Sequence, residues 1–186
     1  MNPMRIASSL SKVAGVVIGS ISYLVNTVVP NLAVLMRRSI TPEKLFERID
    51  AVWGQARGAR ALPRRADIDP AKLGASLPHV TLLDVVPGEP VDFRYRLIGQ
   101  HLITAYGDNI TGATHRQRAN PARKDWPMYE AYVRCLKMRQ AQDIAVEFRN
   151  RNQALLNARA RVWPLSDDGE TVTGLLGGCV FVAPTL

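Results

Sequence analysis

The chain has 186 residues, 47% of them hydrophobic, enough for one domain with a real core plus an appendage. Its net charge is +8; Arg5, Lys12, Arg37 and Arg38 supply four of those charges before Ser39, where no acid occurs, so the remainder carries only +4. So mild and mixed a charge argues against a nucleic-acid partner, and two distant cysteines, Cys135 and Cys179, exclude a zinc-finger spacing or a disulfide framework.

From Val13 to Met36 no residue is charged, and a bilayer core needs about 20 apolar residues in a helix. Residues 1–38 therefore read as an N-terminal apolar helix that anchors the chain in a membrane and is retained, although Ser20, Asn26, Pro30 and Asn31 dilute the run. The alternative is an amphipathic segment packed on protein, with the chain in the cytoplasm. Gly15, Gly19, Ser22 and Asn26 recur at helical spacing and form a stripe on which two such helices could pack closely. Arg37, Arg38, Lys44 and Arg48 follow the run while Arg5 and Lys12 precede it, so the expected place is the inner membrane with the domain in the cytoplasm.

Residues 39–62 read as a connecting helix. Thr41 and Pro42 give its start, Glu43 suits the helix dipole, Leu45, Ile49, Val52 and Trp53 share a face, and Gly54 and Gly58 end the pattern. The proline-rich "PRRADIDPAKLGASLPH" then reads as an extended strap leading into a domain over 63–186.

In that domain "HVTLLDVV" and "FRYRLIG" are strands joined by the turn "VPGEPVD". "QHLITAYGDNITG" is a short helix ended by Gly107, followed by a loop. "DWPMYEAYVRCLKMRQ" is a longer helix with Met128, Ala131, Tyr132, Cys135 and Met138 on one face. "DIAVEFRN", "ALLNARARVWPL" and "VTGLLGGCVFV" are three more strands, joined by "RNQ" and by "SDDGE" with its Asp-Gly hairpin signal. A half-buried antiparallel sheet with helices inserted mid-chain is an α+β architecture whose helices cover one sheet face.

That order is the one found in PAS domains. "LPRRADIDPAKLGASLPHVTLLDVV", "DFRYRLIGQHLITAYGDNITG" and "WPLSDDGETVTGLLGG" resemble the PAS-like family common in alphaproteobacteria, over roughly Thr41 to Val182. The resemblance implies a PAS-like five-stranded antiparallel sheet, with the strap wrapping the edge of the first strand. It also implies a sensory or interaction module, working through a small-molecule ligand, another signalling protein or a second copy of itself. It brings no catalytic residue and no particular ligand, so the cofactor is left unassigned.

Cys135 in "VRCLKM" does not match the flavin-binding cysteine motif of light-sensing PAS domains, and all three histidines precede the long helix where haem-binding PAS sensors carry theirs. Tyr95, Arg96, His101, Tyr106 and Trp126 are the residues expected near a pocket, although aromatic packing competes as their role. Two rival readings come from other classes. One is a small enzyme using Cys179 or a buried histidine, although no motif positions a base beside Cys179. The other is a nucleic-acid binder using Arg94, Arg96, Arg149, Arg159 and Arg161, which alternate on the strands. The glycines of "GLLGG" lack the lysine of a phosphate loop and instead predict close packing of a helix or partner.

Overall fold

A computed structural model describes residues 40–118 and 126–182. The apolar segment, with Gly15, Gly19, Ser22 and Asn26, lies outside the described residues; among the described helices none is long and apolar enough to cross a membrane.

Helix α1 (Pro42–Arg57) starts where Thr41 accepts a hydrogen bond from the Lys44 amide at 3.4 Å and stops at Gly58, whose φ is 56°. Gly54 lies inside this helix rather than ending it. The strap is not extended. It folds into a 3-10 turn (Arg65–Asp67), a one-turn helix α2 (Pro70–Leu73) capped by Asp69 on the Ala71 amide at 2.9 Å, and a second 3-10 segment (Gly74–His79). Pro70 sits in the first turn of α2, where its fixed φ favours a helical start over an extended chain.

Strands β1 (Val80–Val86) and β2 (Asp92–Ile98) form the first hairpin. Helices α3 (Gln100–Tyr106), α4 (His115–Arg118) and α5 (Trp126–Met138) follow, then β3 (Gln142–Arg149), β4 (Leu155–Leu165) and β5 (Gly174–Val182). All pairings are antiparallel and the spatial order is β2-β1-β5-β4-β3. The five-stranded α+β architecture expected from the sequence is therefore the one observed.

Two expectations are corrected. Strand β1 is flanked by both β2 and β5, so it has no free edge for a strap to cover. The segment that does lie along an edge is Gly112–Thr114, which exchanges backbone hydrogen bonds with Tyr95 on β2 and bridges Arg94. Secondly, helices lie on both faces of the sheet. Leu102, Ala131, Tyr132 and Cys135 from α3 and α5 pack with Phe93, Ala158, Val162 and Leu175 on one face. On the other, Leu45, Phe46, Ile49 and Val52 of α1 pack with Trp163, Leu176 and Val180. The second face is apolar because β5 reads as a continuous run rather than an alternation, the pattern of a strand buried on both sides. Met138, grouped with the buried face of α5 from its spacing, ends that helix and is 57% exposed.

Helix α1 is held down by more than apolar contact. Asp50 accepts from the Trp163 indole at 2.5 Å and pairs with Arg161 at 3.0 Å, Glu43 pairs with Arg159 at 3.1 Å, and the Trp53 indole donates to the Pro164 carbonyl at 2.8 Å. Gly178 fulfils the expectation of close helix packing, since a Cβ there would sit 2.5 Å from Ile49 Cδ1 and 3.4 Å from Leu45 Cδ2.

Gly178→Ala should therefore lower the unfolding free energy of the full chain by about 1–3 kcal/mol through overpacking. Gly54→Ala, which meets nothing within 4 Å, should raise it by about 0.5–1 kcal/mol. Urea denaturation of both variants checks the pair; equal effects would mean that α1 does not press on β5.

Candidate functional site

Between the sheet and helices α3 to α5 lies a cavity of about 490 Å³. Tyr95 of β2, Val146 and Phe148 of β3, Ala158 of β4 and Cys179 of β5 form its sheet side. Tyr106, Ile110, His115 and Met128 close it from the helix side, and Asp108, Arg118, Arg149 and Arg151 stand among its remaining lining residues.

Specific hydrogen bonds fix each wall. Gly107, in the left-handed region at φ 75°, ends α3 and returns its amide to the Ile103 carbonyl, which places Asp108 at the rim. Asn150 is buried and ties the β3–β4 turn to α3: its side-chain amide donates to the Ala105 carbonyl at 3.0 Å, while its oxygen accepts from the Ala154 amide at 2.9 Å. The Arg151 amide adds a bond to the Tyr106 carbonyl at 3.1 Å. Helix α4 starts with a reciprocal cap in which the Thr114 amide donates to Gln117 Oε1 at 3.0 Å and the Gln117 amide donates to Thr114 Oγ1 at 3.4 Å. That cap presents His115, whose Nδ1 lies 3.0 Å from the Tyr95 hydroxyl and whose ring stacks on Tyr129.

Of the expected pocket residues, Tyr95 and Tyr106 line the cavity. Arg96 does not: it is exposed and paired with Asp84, which also binds Arg65. His101 does not line it either. Its Nδ1 meets His79 Nε2 at 2.9 Å, and His79 Nδ1 in turn lies 3.3 Å from the Cys179 carbonyl. A carbonyl only accepts, so His79 carries its proton on Nδ1 and accepts from His101 at Nε2. This bond occupies the register position just before β1 begins, where Val80 pairs with Gly178. The side chain of Trp126 lies outside the described residues.

The strand arginines do not form one surface. Arg159 and Arg161 pair with α1, Arg161 also binding Asp143, and Arg96 pairs with Asp84, whereas Arg149 stands at the cavity. Cys179 lines the cavity, but burial pushes its thiol from the usual 9.0 up to about 12, and burial does the same to Cys135. A thiol so placed is not a nucleophile at neutral pH. Asp167 and Asp168 belong to a turn, as expected; Asp168 accepts from Ser166 and from the Glu170 and Thr171 backbone amides, which hold its carboxyl far below the ordinary range.

The sequence reading missed His115, Arg118, Arg151 and Asp108. A signal for the first two was present: Thr114-His115-Arg116-Gln117 is a capping-box pattern inside a stretch read only as loop. Nothing local distinguished Asp108 and Arg151, which become neighbours only when α3 and the β3–β4 turn meet.

A five-stranded antiparallel sheet enclosing a cavity beneath helices inserted between its second and third strands defines a PAS-type domain. A family model described as PAS domain matches residues 42–180, and the chain belongs to that family. Among curated proteins none matches the sequence. Similar solved structures include the LOV protein of Rhodobacter sphaeroides, at 15% identity, 77% of this chain, 70% of that chain and TM-score 0.47. The dark structure of the blue-light photoreceptor Aureochrome1 LOV is similar at 13% identity, 60% of this chain, 80% of that chain and TM-score 0.48.

Two titrations follow from the burial. His79 is held below the ordinary 6.5 by burial and then by His101, so its contribution to stability is present above that value and is lost as pH falls below it. Cys179, raised from 9.0 to about 12, stabilises the fold below 9 and loses that contribution as pH climbs through this window. Denaturation midpoints should therefore fall at both ends, His79→Gln should flatten the acid limb, and iodoacetamide at pH 8 should label the cysteines only after unfolding. Rapid labelling of the native protein would contradict the burial argument.

Proposed function

We propose that this chain is a non-enzymatic sensory module of the PAS family that takes a small molecule into the cavity and passes the signal on through contacts with another signalling protein or a second copy of itself. The observation that carries this reading is the cavity: its volume of about 490 Å³ lies in the range of small-molecule sites, and its wall is largely apolar and aromatic. Its floor is the sheet itself, so occupancy bears directly on the strands and on α3 to α5. The neutral, buried state of Cys179 supports regulation over covalent catalysis. The pairing of Arg96, Arg159 and Arg161 with separate acids supports protein or small-molecule partners over nucleic acid.

Native expression followed by mass spectrometry of molecules released on denaturation tests the reading. Ala158 is buried on the cavity wall, so Ala158→Leu should abolish the released molecule while circular dichroism stays unchanged. An empty wild-type protein, or a ligand retained by the filled variant, would count against the cavity.

The same proposal places the module on the inner membrane through residues 13–36, with the domain in the cytoplasm and with Gly15, Gly19, Ser22 and Asn26 as the face on which two chains pair. The protein should then resist carbonate extraction, and a reporter after Leu186 should be active only in its cytoplasmic form. Cross-linking in membranes should fall for Gly19→Leu and not for Val17→Leu. Equal yields would remove the packing face, and a fully extractable protein would remove the anchor.

A further inference from the structure

We infer that the cavity takes an anion: a small molecule with an apolar body and a carboxylate or phosphate head, the body seated against Ile110, Met128, Phe148 and Ala158 and the head held by Arg118 and Arg151. This rests on the cavity being a ligand site, and it adds the chemical class. Among the described residues that line the cavity, the charged side chains are Arg118, Arg149, Arg151 and one carboxylate, Asp108, an excess of two positive charges. Asp108 also arranges them. Its Oδ2 receives Arg118 Nη2 at 2.9 Å and Arg151 Nη1 at 3.4 Å, drawing two guanidinium groups to one point.

Each of these two contacts uses one nitrogen, while a guanidinium offers five N–H donors in a planar fork. The remaining donors are suited to a second oxyanion in two-point contact, which also relieves the repulsion between two cations sharing one acid. A cationic ligand would add to that repulsion, and a neutral one would leave it in place. Asp84 likewise holds two guanidinium groups, those of Arg65 and Arg96, but neither lines this cavity. The conjunction of an apolar chamber with a cationic rim sets the cavity apart, because the chamber excludes water from the body of a ligand while the rim keeps its charged head partly solvated.

The test is calorimetric titration of the purified full chain with 2-naphthoate, 2-naphthyl phosphate and the neutral 2-naphthamide. At least one anion should bind about tenfold or more tighter than the amide, the scale of one charge-assisted hydrogen bond, and comparison of the two anions separates carboxylate from phosphate. Arg118→Gln combined with Arg151→Gln should remove that advantage and leave amide binding unchanged; both side chains are exposed, so circular dichroism should confirm a native fold. If the amide binds as well as both anions, or if the double variant keeps the preference, the anion assignment is overturned while the cavity stands. If no probe binds and the unmodified protein carries no releasable molecule, the cavity itself is not a ligand site.

Discussion

Strand β5 is the middle of the five-stranded sheet and is apolar along its whole length, so both of its faces must be covered. Everything else in the domain is arranged around that constraint. Leu175 and Cys179 point to one face and Leu176 and Val180 to the other, and each set finds its own helix layer. The two adjacent glycines serve opposite faces. A side chain on Gly177 would collide with Thr81 Oγ1 at 2.2 Å, and one on Gly178 with Ile49 Cδ1. The close approach of Ile49 and Leu45 to Gly178 makes the helix that precedes the strap a structural part of the domain rather than a connector.

The two layers are built differently. Helix α1 lies against the sheet with aromatic packing of Phe46 on Trp163 and with Asp50 bonded to both Trp163 and Arg161, so that face is filled and its charges are matched. The opposite layer comes from three shorter helices, α3, α4 and α5. The cavity lies between these helices and the sheet. Its walls are set by bonds between sequence-distant groups, such as Asn150 to the Ala105 carbonyl and the Tyr129 hydroxyl to the Val91 carbonyl at 2.7 Å.

Elements with a local cause were legible in the sequence. The Thr41-Pro42 start and the Gly107 stop each announce themselves within a few residues, whereas along β2 the buried positions are Phe93, Tyr95 and Ile98 and Leu97 is exposed, so simple alternation fails at the end of that strand. What was not legible depends on juxtaposition. Whether one sheet face or two is covered is decided by where α1 docks, although the unbroken apolar run of β5 carried a hint. His101 looked like a pocket residue because a polar aromatic on a short helix commonly faces a cleft, yet a nearer partner, His79, had been placed beside it by the end of the strap. Tyr106 at the end of α3 and Tyr95 in the middle of β2 both border the cavity, as expected of bulky aromatics that carry a polar group.

The distribution of charge completes the contrast between the layers. On the α1 side the arginines of β4 meet acids supplied by another element, Glu43 and Asp50, so their role is to fasten helix to sheet. At the cavity the arginines arise from α4 and from the β3–β4 turn, and the one acid between them comes from the loop after α3. Asp108 therefore ties α4 to the β3–β4 turn at the rim of the cavity, and it does so through partly exposed ion pairs, which are individually weak. A bond of that kind holds the rim in position without making it costly to displace. The α1 face, by contrast, is fixed by buried aromatic packing of Phe46 on Trp163, so the two sides of the sheet differ in how firmly their outer elements are held.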